Sequence, residues 1–204
     1  MAVSCIIEMV AFHPMKSRVF PASIIIKEHG TGEVRVLTFV IASDSHEHGD
    51  SLSRAFDRQP KADGLIFLGD GLRDLFGFRE THPHVPILAV RGNCDFVSVL
   101  PDGGTAPNQE IRVFDNVRIL MVHGHTHNVK SGTEYLTAAA YRAGASVALY
   151  GHTHEQETHF ETVGGPEDPV SIQLCNPGSI GYEGQFATLT LQNGRALIGL
   201  GQLD

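Results

Sequence analysis

Short apolar runs, each followed at once by a cluster of polar residues and glycine, recur along this chain. The runs at residues 34–42, 64–68 and 86–90 are followed by SDSHEHGD, GDGLRD and RGNCD. A short apolar run bounded by turn residues is typical of a buried strand in a parallel sheet. In open α/β sheets, ligands bind beyond the carboxyl ends of the strands. The pattern therefore predicts a parallel sheet with a polar site along one edge.

The rest of the pattern predicts a mixed α/β domain with two packed sheets. Helices are predicted at residues 51–58 and 133–143, and further strands at residues 111–114, 117–122, 147–150, 171–174, 186–191 and 196–200. We assign residues 35–204 to this domain and residues 1–34 to an N-terminal extension that serves folding or assembly rather than chemistry. For the extension, an added hairpin and a contact within a homo-oligomer both stay open.

The length and net charge of the chain exclude some classes of function. A chain of 204 residues is long enough for one substantial core. Its net charge of -8 argues against an extended nucleic-acid footprint or an anionic membrane surface, because both need clustered Lys and Arg. No apolar run reaches the roughly 18 residues of a membrane span, and the first residues lack the basic start of a signal peptide. Three widely spaced cysteines fit a reducing compartment, so we expect a cytoplasmic protein.

Histidines cluster directly after predicted strands. The clusters contain His46 and His48, then His123, His125 and His127, then His152 and His154. Imidazole and carboxylate ligands together suit Mn, Fe, Co, Ni and Zn, and the lack of a CxxC pair argues against a structural zinc site. In an extended segment alternate side chains point the same way, so a DxH or HxH spacing converges on a metal. Alone, such a spacing is more often part of a solvated loop or capped turn.

Five motifs in a fixed order favour a metal site over that alternative. They are DxH at residues 44–46, GD at 69–70, GNCD at 92–95, HGH at 123–125 and GHTH at 151–154. As a set they resemble the calcineurin-like metallophosphoesterase superfamily, specifically its small, capless prokaryotic branch of phosphodiesterases. The resemblance spans residues 34–192. It implies a four-layer αββα sandwich of two mixed β-sheets flanked by helices.

The resemblance also implies ligands and chemistry. The implied ligands are Asp44, His46 and His154 for one divalent ion, Asn93, His123 and His152 for a second, and Asp70 bridging both. The implied catalytic residues are Asp70, Asn93, Asp95 and His123. We expect Mn at both positions, with Ni, Fe, Co and Zn as alternatives, and a small phosphoester substrate. A hydroxide between the ions is expected to attack phosphorus in line, without a covalent intermediate.

Some residues near the motifs keep two interpretations. Cys94 stands where larger members of the superfamily have a histidine that is thought to protonate the leaving group. The general acid is therefore unassigned, with His125 and His127 as candidates, and Cys94 itself fits a small buried residue. Asp95 either supports a metal ligand or caps a turn. Residues 176–179, NPGS, match a family loop near the site but also an ordinary turn.

The competing function is a non-catalytic metal-binding scaffold or protein-interaction module of the same fold. All seven ligand positions are filled, which favours an enzyme. A dinuclear hydrolase of another class would need an HxHxDH cluster, which the sequence lacks.

Overall fold

The protein is described by a computed structural model over residues 36–204. The N-terminal extension, residues 1–34, and the start of the predicted first strand lie outside the described residues. The helices are α1 Gly49–Asp57, α2 Asp74–Thr81 and α3 Glu134–Arg142. The strands are β1 Leu37–Ala42, β2 Gly64–Phe67, β3 Ile87–Ala89, β4 Gln109–Phe114, β5 Val117–Val122, β6 Val147–Leu149, β7 Glu157–Gly165, β8 Asp168–Asn176, β9 Gln185–Gln192 and β10 Arg195–Gln202.

The strands form two five-stranded mixed sheets. The first has the order β10-β9-β1-β2-β3. Strands β1, β2 and β3 run parallel, and β9 pairs antiparallel with both β1 and β10. The second has the order β4-β5-β6-β8-β7, in which β5, β6 and β8 run parallel between two antiparallel edge strands. In each sheet the three parallel strands therefore end on the same side of the sheet.

Each sheet packs helices against one face. Val40 and Ala42 of β1 belong to one buried cluster with Leu52 and Phe56 of α1 and with Leu75 of α2. A second buried cluster joins the middle of β5 and β6 to one face of α3, through Leu120, Val122, Leu136, Ala140 and Ala148. Because side chains alternate along a strand, the residues between these positions point to the opposite face.

The opposite faces of the two sheets meet each other. Ile41 of β1 and Ile119 of β5 are fully buried yet alternate with the helix-facing residues. The rings of Phe39 in β1 and Phe114 in β4 are in contact, with centroids 5.0 Å apart. The layers thus run helices, sheet, sheet, helix, which confirms the predicted αββα sandwich.

Two elements were not predicted. Helix α2 buries only Leu75 and Phe78 and carries Gly77 in its middle, so its helical pattern is weak. Strand β7 lies at a sheet edge and has no buried residue. Within residues 36–204, no helix has the length and apolar character needed to cross a membrane.

Candidate metal centre

The predicted site residues lie on loops that follow five strands. The loops after β1, β2 and β3 leave one edge of the first sheet, and those after β5 and β6 leave one edge of the second. Backbone hydrogen bonds join the loops. The N–H of Asp44 donates to the oxygen of Gly69 (2.9 Å), and the N–H of Gly151 donates to that of His123 (2.9 Å). The topology therefore brings the five motifs together.

Asp44, His46 and His154 form a first donor group. The Nε2 atom of His154 lies 3.2 Å from Oδ1 of Asp44 and 3.4 Å from Nε2 of His46. The Nε2 atom of His46 is 3.8 Å from the same carboxylate oxygen. Asp44 is fully buried, and its Oδ2 accepts the backbone N–H of His152 (3.1 Å). The carboxylate is thus fixed with Oδ1 turned toward both imidazoles.

Asp70, His123 and His152 form a second donor group. The Nε2 atom of His123 lies 3.2 Å from Oδ2 of Asp70 and 3.2 Å from Oδ1 of Asn93. Its Nδ1 donates to the main-chain oxygen of Leu68 over 2.8 Å, which leaves Nε2 facing the carboxylate. The amide oxygen of Asn93 therefore joins this group.

Asp70 lies between the two donor groups. Its donor atom is within 4.8 Å of those of His46 and Cys94 on one side, and of the second group's imidazoles on the other. The Nε2 atom of His123 is also 3.9 Å from Oδ1 of Asp44, so the two groups are neighbours. Asp70, a member of the second donor group, is thus also close to the first.

The prediction that paired ligands alternate along extended segments is wrong. Five of the seven predicted ligands have left-handed backbone angles: Asp44 (φ 57°), His46 (43°), Asp70 (56°), His152 (72°) and His154 (63°). Such angles are unfavourable for residues with a Cβ atom and persist where surrounding contacts hold them, which is common at functional sites. These side chains converge through tight loop turns.

Glycines in the motifs allow the loops to approach closely. A Cβ atom on Gly92 would lie 2.0 Å from Oδ1 of Asp70, and one on Gly151 would lie 2.0 Å from Oγ of Ser43. Both distances are far below van der Waals contact. Gly92 and Gly151 each directly precede a predicted ligand. Glycine is therefore required at both positions because a neighbouring loop packs against them.

Asp95 organises the loop that carries Asp70. It is buried, and its two carboxylate oxygens accept four backbone N–H groups, those of Asp70 and Gly92 on Oδ2 and those of Gly71 and Leu72 on Oδ1, over 2.8–2.9 Å. Of the two interpretations of Asp95, these contacts favour support of a ligand. Both oxygens are occupied by the backbone, so Asp95 acts as a positioning residue.

The thiol of Cys94 is exposed, so its interpretation as a small buried residue is wrong. Its backbone N–H donates to Oδ1 of Asp70 (2.7 Å), and the Asn93 amide donates to its sulfur (3.2 Å). Partial burial, together with the hydrogen bond and charge of Asp70, raises the pKa of Cys94 to about 11. Near neutral pH the sulfur therefore keeps its proton.

Residues 176–179 tie two site loops together. The Asn176 amide donates to Oγ1 of Thr153 (2.8 Å), next to the GHTH histidines, and Oγ of Ser179 donates to the main-chain oxygen of Asp44 (2.9 Å). Asn176 and Ser179 are fully buried. This segment therefore supports the site, and the sequence signal for it was the NPGS motif alone.

Tyr182 was missed in the sequence. Its ring stacks on His46, with centroids 5.2 Å apart and planes 25° apart, and contacts His154 (5.6 Å) and His48 (5.9 Å). Its backbone N–H donates to Oγ of Ser179 (3.1 Å). Tyr182 thus covers the first donor group.

His125 and His127 lie on a single 3-10 turn outside both donor groups. The His125 ring is 5.4 Å from that of His123 and 6.2 Å from that of His152. Burial lowers the pKa of both His125 and His127, helped by the charge of His123 for the former and of Arg142 for the latter. The lowered pKa values favour the neutral form of both rings.

Protonated histidines offset the negative charge of the buried carboxylates when no metal is bound. Burial disfavours the charged forms of Asp70 and His123, but the hydrogen bond and charge between them outweigh it. The pKa of Asp70 is therefore well below its usual value, and the pKa of His123 is raised. The hydrogen bond to Asp44 raises the pKa of His154, against a smaller effect of burial. Within residues 36–204, every ion pair to Asp44 or Asp70 comes from a histidine.

The donor atoms fit divalent metal ions. Around an ion with bonds of about 2.1 Å, neighbouring ligand atoms are about 3.0–3.4 Å apart. The Nε2 atom of His154 lies 3.2 Å from Asp44 and 3.4 Å from His46, whereas His46 and Asp44 are 3.8 Å apart. The Nε2 atom of His123 lies 3.2 Å from both Asp70 and Asn93. The buried carboxylates need positive charge, and the imidazole and oxygen donors suit borderline divalent ions.

Comparisons with known proteins identify the family of this chain. Residues 37–194 match the family described as the calcineurin-like phosphoesterase superfamily domain. A Bacillus subtilis (strain 168) protein described as probable metallophosphoesterase YsnB is 28% identical over 169 residues, which cover 79% of this chain and 89% of that protein.

Two solved structures are also similar. A predicted phosphoesterase from Streptococcus pneumoniae TIGR4 is 25% identical with a TM-score of 0.64, covering 82% of this chain and 90% of the other. An archaeal phosphodiesterase is 23% identical with a TM-score of 0.59, covering 82% of this chain and all of the other, and at that identity it supports the fold alone.

Proposed function

This chain belongs to the calcineurin-like phosphoesterase superfamily and is a metal-dependent phosphoesterase; from that premise we propose that it is a phosphodiesterase that works with two divalent ions. The observation that carries the proposal is the position of Asp70 between two donor groups of His and Asp side chains. A single carboxylate in that position holds two ions as a pair.

The ligand residues fall into two sets according to which donor atoms lie close together. Asp44, His46 and His154 would hold the first, and His123, His152 and Asn93 the second, with Asp70 shared. Two divalent ions carry four positive charges and the two aspartates remove two. The centre keeps about two positive charges in a chain of net charge -8. A phosphate group is attracted for that reason.

When bound, such ions supply an activated water near neutral pH and stabilise negative charge on the phosphoryl group. The protein's own part is positioning. The Leu68 carbonyl holds the Nδ1 proton of His123 and so aims Nε2 into the site, and four backbone N–H groups on Asp95 fix the loop of Asp70.

Charge around the site favours a diester over a monoester. The cleft beside the donor groups is lined by the carboxylates of Glu47 and Asp74 and by one cation, Arg73. A phosphodiester carries one negative charge, whereas a monoester carries close to two near neutral pH. The additional charge of a monoester is disfavoured beside two carboxylates.

The test is hydrolysis of bis(p-nitrophenyl) phosphate and p-nitrophenyl phosphate by chelator-treated protein, re-supplied separately with Mn, Ni, Fe, Co and Zn. We expect no hydrolysis without metal, recovery with Mn and preference for the diester. A protein that binds metal but hydrolyses neither ester would support the scaffold alternative. Preference for the monoester would overturn the diester assignment alone.

A further inference from the structure

A cleft of about 360 Å³ opens directly beside the candidate metal centre. It shares the side chains of His46 and Asp70 with the donor groups, and the neighbouring Cys94 also lines it. A phosphoester whose phosphate lies at the donor groups would therefore extend an ester group into this cleft. Its volume is at the small end of the range for ligand sites, about 300–1,000 Å³, which suits one small organic group rather than a polymer.

One wall of the cleft is an exposed apolar platform. Phe96 is 92% exposed and Val97 is 49% exposed, and both follow the buried Asp95 on the loop after β3. Asp95 is fixed by four backbone hydrogen bonds, so the platform begins at an anchored residue. A large apolar side chain with this exposure is available for contact with a ligand.

The cleft also contains a second planar group. Arg73, just before α2, is exposed, and within residues 36–204 no hydrogen bond or ion pair holds its guanidinium. A guanidinium and a phenyl ring both stack on flat aromatic surfaces. The carboxylates of Glu47 and Asp74 line the same cleft and accept hydrogen bonds from polar groups at the edge of such a ring.

Resting on the proposed function, we propose that this cleft selects phosphoesters with a planar aromatic ester group, and that Phe96 is the specificity-determining residue that stacks on it. An aliphatic ester group of equal size would fill the same space, but it has no flat aromatic face on which Phe96 can stack. An aromatic pair contributes about a two- to tenfold difference in affinity.

The test is calorimetric binding of three phosphonates to the full, Mn-loaded chain. Phenylphosphonate, cyclohexylphosphonate and methylphosphonate share the metal-binding group, and the first two are similar in size but differ in planarity. We expect phenylphosphonate to bind about two- to tenfold more tightly than cyclohexylphosphonate. The preference should be lost in Phe96→Ala and Phe96→Leu and kept in Phe96→Tyr.

The matched control is Phe160→Ala, which removes another exposed phenylalanine, 67% exposed, from β7 outside the cleft. The Phe160→Ala variant should keep the preference for phenylphosphonate over cyclohexylphosphonate. Equal phenyl preference in wild type and Phe96→Ala, with methylphosphonate bound normally, would overturn the role of Phe96 and leave the proposed function standing. Failure of all three phosphonates to bind the Mn-loaded chain would overturn the proposed role of the cleft, and loss of bis(p-nitrophenyl) phosphate hydrolysis by the same Mn-loaded chain would overturn the proposed function.

Discussion

The imidazole of His123 hydrogen-bonds across the sandwich: its Nδ1 lies 2.8 Å from the main-chain oxygen of Leu68, which follows β2 in the other sheet. A carbonyl oxygen only accepts, so Nδ1 carries a proton and Nε2 is the ring nitrogen that faces the candidate metal centre. The position of this ligand therefore depends on how the two sheets pack.

The histidines in the loops after β5 and β6 differ in their expected effect on metal content. His123→Ala, His152→Ala and His154→Ala should each lose metal, because each removes a member of a donor group. His125→Ala and His127→Ala lie outside both groups and should keep two ions. Metal analysis of the five purified variants checks this. Loss of an ion from the His127 variant, with retention in the His123 variant, would reverse the assignment.

Gly92→Ala should impair metal binding, because the added Cβ would lie 2.0 Å from Oδ1 of Asp70. The matched control is Gly77→Ala in α2, where nothing lies within 4 Å of an added Cβ. The control should bind metal normally. Its free energy of unfolding should rise by about 0.5–1 kcal/mol, because alanine is the better helix former. Equal metal affinity in the two variants would show that the close approach is unimportant.

Asp95→Asn should destabilise the protein and weaken metal binding. An amide has one accepting oxygen, so two of the four backbone N–H groups would face its NH₂. Unsatisfied buried donors cost about 1–3 kcal/mol each, so we expect a loss of at least about 2 kcal/mol in the free energy of unfolding. Asp102→Asn, which affects one exposed hydrogen bond to Gly104, is the control. Urea unfolding of the variants measures the difference.

Metal affinity should fall as the pH is lowered. The pKa values of His123 and His154 are raised, so below these values both rings are protonated and a metal ion must displace the protons. Burial and the charge of His123 lower the pKa of His152 to about 4, so its ring does not compete near neutral pH. The logarithm of the apparent affinity should therefore drop by about one to two per pH unit below the raised pKa values. Constant affinity between pH 8 and 5.5 would contradict this.

Sequence patterns predicted the buried parts of the fold well. Strands such as β1, β2 and β5 are mostly apolar runs that end in polar loops, and this signal is local. Strand β7 was missed because it is stabilised by pairing with β8 rather than by burial of its own side chains. Helix α2 was missed because Gly77 interrupts a short amphipathic pattern.

The sequence pointed to the donor residues that the structure brings together, but not to Tyr182 or to the geometry of the site. The ligand motifs follow strands and are visible in order along the chain. The left-handed backbone of residues such as Asp44 and His154 depends on loops that meet only in the folded protein. The same holds for Ser179, which is 135 positions from Asp44 in the sequence and donates to its main-chain oxygen.

The most direct test of the central claim is a titration of metal-free protein with Mn²⁺ while hydrolysis of bis(p-nitrophenyl) phosphate is followed. Activity should be absent at the start and reach its maximum as the second ion per chain binds, because phosphoester attack needs both donor groups occupied. In Asp70→Asn, which weakens the shared ligand, the maximum should shift to much higher Mn²⁺ concentration. Full activity before any metal is added would contradict the account.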